Sequence, residues 1–185
     1  MAVSGFIDYR TYPDLVALVD ELRSHWTTIR QEARAELGAF FKSPETAIQN
    51  ADDIRQFVLP LKWQGQTVNA GHGLPYGEEK LEFFPVTAAA IAHPLVVSAL
   101  FSLSVPGLEI WPHIDNEAWI GDVWRLHLGL DCPDGCGLMV DGQVREWRDG
   151  EVLCFDSARV LHSAWNRGAA PRLILIVDVN RRLLV

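Results

Sequence analysis

The second half of the chain constrains the fold more than any other feature. From about Ala99 onward, apolar and polar residues alternate with period two. The runs are short and separated by Pro106-Gly107, Pro133-Asp134-Gly135, Asp141-Gly142, Asp149-Gly150 and Arg167-Gly168. Successive side chains of a strand point to opposite faces, so such a run buries one face. The separating residues are those that reverse a chain. Strands are predicted at 99–105, 108–114, 123–130, 137–141, 143–148, 151–155, 160–166 and 172–179. Short strands with regular turns predict a mainly β fold: a sandwich, a barrel or a jelly roll.

The first half reads as flanking helices. Pro13-Asp14 is a helix start, followed by Leu15, Leu18, Val19, Leu22, Trp26 and Ile29 at helical spacing. One helix is predicted from there to about Leu37. A second is predicted after Ser43-Pro44-Glu45, with Ile48, Ile54 and Leu59 on its apolar side. A short third is predicted after Phe84-Pro85, ending before His93-Pro94, and 71–80 is predicted to be a loop. The expected organisation is one domain of 185 residues: a helical flank (1–60), a loop and short-helix region (61–98) and a jelly-roll core (99–180). With 49% apolar residues, a chain of this length can bury a core without disulfides or structural zinc.

A formal net charge of −8 makes the chain a poor ligand for nucleic acid or an anionic membrane. No stretch of 18 apolar residues is present, and Met1 to Tyr9 lacks the basic and apolar segments of a signal peptide. The three cysteines, Cys132, Cys136 and Cys154, fit a reducing compartment and buried thiols. A cytoplasmic protein is expected, with a small-molecule partner. The helical flank could also form a homodimer face.

Three local patterns carry chemistry. His113-Ile114-Asp115 puts an imidazole and a carboxylate on one face at i and i+2, and His162 follows on a later strand. Two His and a carboxylate can hold Fe(II) with three positions left open. On the strand 123–130, Trp124, Leu126, Leu128 and Leu130 form an apolar face, opposite Arg125 and His127. If that second face lines a barrel interior, its cation needs an anionic partner. Arg172 opens the very apolar strand 172–179, and its planar fork suits a carboxylate. Trp63, Trp111 and Trp147 read as core.

Taken in order, these residues resemble the aspartyl/asparaginyl β-hydroxylases. The matching text is Ile110-Trp111-Pro112-His113, Arg125-Leu126-His127-Leu128-Gly129-Leu130, Gly135-Cys136, Trp147 with Gly150, and Phe155-Asp156. It continues through His162, Trp165-Asn166, Arg172 and Ile176-Val177-Asp178. Weaker similarity reaches back through Trp63, Gly65 and Asn69 to Phe84-Pro85, so the resemblance covers roughly 63–179.

The resemblance implies a double-stranded β-helix (jelly roll) and an Fe(II)- and 2-oxoglutarate-dependent dioxygenase that uses O2. It implies His113 and His162 as iron ligands. It places Arg125 and His127 where the family grips the 2-oxoglutarate carboxylate near the metal. Arg172 and Ser102 fall where it binds the distal carboxylate, with Ser104 nearby. The chain departs from the pattern at Asp115, where well-known members have Gly, and Asp115 is expected to complete the metal set. It departs again at Asp178-Val179-Asn180-Arg181-Arg182, which lacks the usual aromatic-His-Pro ending. The expected substrate is small and soluble, a free or carrier-bound amino acid or derivative. Asn69, His72 and Trp119 are its candidate contacts, with Gln66 and Tyr76. The alternatives are a hydroxylase of Asp or Asn residues in proteins, a metal-dependent jelly-roll enzyme that does not use 2-oxoglutarate, a binding module for a small acid, and a structural interaction domain.

Overall fold

The last long strand sorts its side chains by parity, and that sorting sets the layers. Leu173, Leu175, Val177 and Val179 enter the core beneath the helices. Arg172, Ile174 and Ile176 line a cavity on the other face. The structure is a computed structural model and describes residues 5–40, 47–48, 56–62, 78–115 and 121–184.

Ten strands occur among these residues: β1 (Ala47–Ile48), β2 (Gln56–Lys62), β3 (Val96–Ser104), β4 (Leu108–His113), β5 (Val123–Asp131), β6 (Cys136–Val140), β7 (Gln143–Glu146), β8 (Val152–Phe155), β9 (His162–Asn166) and β10 (Arg172–Asn180). They form a six-stranded sheet in the order β1-β2-β3-β10-β5-β8 and a four-stranded sheet in the order β4-β9-β6-β7. Both sheets are antiparallel. The architecture is a jelly roll with flanking helices, as the alternation predicted.

Two helices cover the outer face of the larger sheet, α1 (Pro13–Ser24) and α2 (Trp26–Phe40). Leu15, Leu18, Val19, Leu22 and Ile29 are fully buried and share one core cluster with Leu126, Leu128 and Leu130 of β5. Each such side chain contributes about 1.5–3 kcal/mol by leaving water. The predicted alternation of β5 holds, and the structure sets its leucines under the helices and Arg125 and His127 toward the cavity. A third helix, α3 (Pro85–Ile91), is capped from α2. The Glu32 carboxylate accepts from the N–H groups of Val86 and Thr87 at 2.7 and 2.9 Å.

Two expectations for the first half are corrected. The single helix to Leu37 is two helices, broken at His25. There the Ser24 hydroxyl turns back to the Glu21 carbonyl at 2.8 Å, competing with the backbone ladder. The break lets Trp26 pack against the turn at Gly150. The helix predicted after Ser43 is contradicted by β1 and β2, which hold Ile48 and Leu59. Its start, Ser43-Pro44-Glu45, lies outside the described residues. β2 instead pairs with β3 and crosses the expected 60/61 boundary. Pro60 sits at a register shift in that pairing, where a strand tolerates proline. A short apolar run has no period long enough to separate strand from helix.

The core strands lie within a few residues of their predicted limits, the largest change being that β3 begins at Val96. Two glycines permit close approaches inside the sheets. A Cβ on Gly129 would lie 2.1 Å from the Arg148 carbonyl oxygen, and one on Gly137 would lie 2.1 Å from the Trp165 ring. Among the described residues no helix is long and apolar enough to cross a membrane. Cys132, Cys136 and Cys154 are free thiols. Burial pushes the Cys132 thiol up to about 12, far from a reactive thiolate at neutral pH.

Candidate active site

The inward faces of the two sheets enclose a cavity of about 470 Å³, within the usual range for a small-molecule site. Two clusters of polar groups share it.

The first cluster is His113, Asp115 and His162. The β4–β9 register places His113 directly opposite His162, with ring centroids 4.3 Å apart. Asp115 follows just beyond β4, and its N–H donates to the Ser157 carbonyl at 2.9 Å, fixing it beside both rings. One ligand atom from each residue lies within 4.8 Å of the other two. Asp115 Oδ1 is 3.5 Å from His113 Nε2 and 3.9 Å from His162 Nε2. Each imidazole is oriented by its other nitrogen: Nδ1 meets the Trp111 carbonyl at 2.7 Å in His113, and the Val160 carbonyl at 3.0 Å in His162. Donation there turns Nε2 toward Asp115, the arrangement in which backbone carbonyls set metal-binding histidines. Burial pushes the Asp115 carboxyl up, but the His113 hydrogen bond and the charges of Arg125 and His162 outweigh it, so its pKa ends well below the carboxylate range. Burial pulls His162 down, which keeps Nε2 unprotonated at neutral pH.

The second cluster is His127, Arg172 and their neighbours. The Trp147 indole N–H donates to His127 Nδ1 at 3.3 Å. That leaves the proton on Nε2, which is buried without a partner among the described residues. Arg172 is buried as well. Its Nη2 donates to the Ser104 hydroxyl at 2.6 Å, while Nε and Nη1 have no partner among the described residues. Burial lowers its pKa to about 10, so it stays charged at neutral pH. A buried, half-satisfied guanidinium is costly unless an anion joins it. Ser102 is fully buried, lines the same cavity and accepts from Gln56 Nε2 at 3.2 Å.

Arg125 differs from Arg172. It lines the cavity, yet its partners are supplied by the protein. Its Nε and Nη2 meet the two oxygens of Asp178 at 2.7 and 2.9 Å, and its Nη1 meets Asp115 Oδ2. Of the two inward cations, only Arg172 lacks an anion among the described residues.

Sequence reasoning missed Asp178 as a partner. The signal was a lone carboxylate in the apolar run of β10, because a buried Asp is almost always paired. Trp147 is buried as expected, but it is also a hydrogen-bond donor and a platform for Arg172. Trp111 is corrected: it is 80% exposed, at the cavity mouth. A register shift between Ile110 and His113 turns those two inward and leaves Trp111 outside. The unusual ending Asn180-Arg181-Arg182 forms a short turn, tied by Arg181 to Asp156 and Arg182 to Asp122, each at 3.0 Å. Asn69, His72 and Trp119 lie outside the described residues, as do Trp63, Gly65, Gln66 and Tyr76.

A sequence profile of the aspartyl/asparaginyl β-hydroxylases matches residues 23–182. The chain belongs to this family. It is 32% identical over 169 residues to the aspartyl/asparaginyl beta-hydroxylase of Mus musculus, covering 88% of this chain and 21% of the mouse protein. It is 37% identical over 167 residues to the ornithine lipid ester-linked acyl 2-hydroxylase of Rhizobium tropici, covering 88% of this chain and 57% of that protein. The chain thus spans only part of the length of both relatives. Among solved structures, an oxidoreductase of the 2OG-Fe(II) oxygenase family from Burkholderia pseudomallei superposes with a TM-score of 0.51 at 18% identity, over 80% of this chain and 82% of that one. That likeness concerns the fold. Family membership extends the resemblance back from about residue 63 into α1.

Proposed function

We propose that the chain is an Fe(II)- and 2-oxoglutarate-dependent dioxygenase. In this reading it hydroxylates a C–H bond next to a carboxyl-derived carbonyl, in a free or carrier-bound amino acid or a similar acyl derivative. One observation carries it: among the described residues, the buried donors of Arg172 and His127 meet no anion in the cavity that also holds His113, Asp115 and His162.

The residues fit the groups. His113 and His162 would hold the metal through Nε2 and Asp115 through Oδ1, a set that suits Fe(II) and leaves positions open. Arg172, with Ser102 and Ser104 beside it, would take the distal carboxylate of 2-oxoglutarate. His127 would donate from Nε2 to the end nearer the metal. A dication and a dicarboxylate bound together leave the formal charge of the cavity unchanged, so loading creates no uncompensated buried charge. When bound, Fe(II) with 2-oxoglutarate and O2 supplies the oxidant for an unactivated C–H bond, and the co-substrate leaves as succinate and CO2. The apolar lining, including Leu100, Ile110, Leu138, Ile174 and Ile176, would limit the water around that chemistry.

The substrate class follows from chemistry shared by the relatives. The mouse protein's name specifies the β-carbon of an aspartyl or asparaginyl residue. The Rhizobium protein's name specifies the 2-carbon of an ester-linked acyl chain. Both carbons stand next to a carbonyl.

Anaerobic addition of Fe(II) and 2-oxoglutarate to metal-free protein tests the site through the visible charge-transfer band of the chelate. The band is expected in wild type, weakened in Arg172→Ala and absent in His162→Ala. Its absence from folded wild type would overturn the reading. Succinate release stimulated by aspartyl peptides, N-acyl amino acids or acyl thioesters, with a hydroxylated product by mass, then identifies the substrate arm.

A further inference from the structure

Asp115 has two oxygens, and the structure gives them different neighbours. Oδ1 faces the Nε2 atoms of His113 and His162. Oδ2 is taken by Arg125 Nη1. Arg125 is itself gripped by Asp178 through two parallel bonds of 2.7 and 2.9 Å. Such a fork fixes both the position and the plane of a guanidinium. Asp178 and Arg125 are directly opposed in the β10–β5 register, on two interior strands of the six-stranded sheet. Asp178 is 2% exposed. The rigid sheet thus holds the far end of a chain of charges whose near end is a candidate metal ligand.

We propose that Asp178 is a positioning residue: acting through Arg125, it occupies one oxygen of Asp115 and aims the other at the site formed with His113 and His162. The inference rests on the metal-site reading above and deepens it. It gives Arg125 a different role from its expected grip on the co-substrate, for which Arg172 and His127 remain. It also gives the departure at Asp115 a structural basis. A carboxylate just past a strand end has several rotamers, and the Arg125 bond selects one. Two aspartates around one arginine leave the trio with a net negative charge, which favours a divalent cation beside it.

The test uses Co(II), an air-stable probe, and reads its affinity and visible spectrum in the 185-residue chain. Asp178→Asn keeps the shape but sets an amide N–H₂ against the guanidinium donors. It is expected to weaken Co(II) binding about tenfold or more, the size seen when a group orienting a metal ligand is lost. Asp178→Glu is expected to restore part of that loss. In an Asp115→Ala background, Asp178→Asn is expected to add nothing, because the path from Asp178 to the metal runs through Asp115. A purely structural ion pair would instead add its effect in both backgrounds. If Asp178→Asn does not fold, Arg125→Lys, which retains the charge and loses the fork, is expected to give the same loss and the same non-additivity. Equal Co(II) affinity in wild type, Asp115→Ala and Asp178→Asn would overturn the inference and leave a two-histidine site, with the proposed function intact. Folded wild type that binds neither Co(II) nor 2-oxoglutarate would overturn both.

Discussion

The Arg172 guanidinium lies over the indole of Trp147, 4.0 Å from the ring centroid. The same indole donates its N–H to His127. One buried tryptophan therefore sets both groups assigned to the co-substrate. The π face partly compensates the charge of Arg172, but a ring is a weaker partner than a carboxylate.

Replacing that cation separates stability from binding. Arg172→Met fills a similar volume and removes two unpartnered buried donors. The ligand-free variant is expected to be more stable than wild type by about 1 kcal/mol or more, as when buried charges give way to apolar groups. It should also lose the stabilisation by 2-oxoglutarate, about 2.7 kcal/mol in wild type at a hundredfold excess over Kd. Denaturation with and without 2-oxoglutarate measures both. A variant still stabilised by the ligand would remove Arg172 from the site.

Trp147→Phe keeps a ring beneath Arg172 but removes the donor to His127. The imidazole then loses the bond that places its proton on Nε2. A net hydrogen bond of about 0.5–1.5 kcal/mol corresponds to about two- to tenfold weaker 2-oxoglutarate binding. Calorimetric titration checks it, and unchanged affinity would show that the indole N–H does not matter to binding.

The titration of the cavity histidines gives stability a definite slope with pH. Burial holds His127 well below its usual value, with the charges of Arg125 and Arg172 adding to the effect, and burial lowers His162 too. The unfolded chain takes up these protons near pH 6.5 while the folded chain refuses them. Their contribution is therefore present above about pH 6.5 and lost as pH falls below it. His113 has the opposite sign, because the hydrogen bond to Asp115 raises its pKa. Its contribution is present below about pH 6.5 and lost as pH rises through the raised value. His127 is held furthest from its usual value and sets the sign, so stability of the metal-free chain is expected to fall from about pH 7 to about pH 5. Urea denaturation across that range measures the slope. His127→Gln should flatten it, and an equal slope in the variant would assign the pH dependence elsewhere.

The close approaches at Gly129 and Gly137 differ in what must yield. At Gly129 the obstacle is the Arg148 carbonyl, which belongs to the backbone, whereas at Gly137 it is the Trp165 side chain. Both alanine variants are expected to lose stability, by about 1–3 kcal/mol or more. Gly129→Ala should be the worse, since a backbone cannot rotate away as an indole can. Chemical denaturation orders the two, and a reversed order would show that β5 moves more easily than Trp165.

What could be learned from the sequence and what could not divide along the range of the forces involved. The strands of the second half were legible because alternation and turn residues are local, and side-chain parity follows from pleat geometry alone. Parity also set Leu126, Leu128 and Leu130 on one face and Arg125 and His127 on the other, and the fold decided that the second lines the cavity. The candidate site was legible as an ordered set of residue types, from His113 to Arg172. The first half was harder to read. β2 has no helical or strand period of its own and exists because β3 offers it an edge, and α1 and α2 separate at a local competition around Ser24 and His25.

The sequence alone thus determined a mainly β fold of short strands, and its resemblance to a family pointed to a jelly roll and to Ser102, His113, Asp115, Arg125, His127, His162 and Arg172, which line the cavity. Only tertiary structure decided which charges meet. Arg125 and Arg172 look alike in the sequence, as inward cations on two apolar strands. The β10–β5 register sets Asp178 opposite Arg125, while at Arg172 the β10–β3 register brings the neutral hydroxyl of Ser104. Register depends on contacts between distant segments, so a linear pattern does not reveal it. That difference leaves one arginine to hold a carboxylate of the protein and the other free to take one from a ligand.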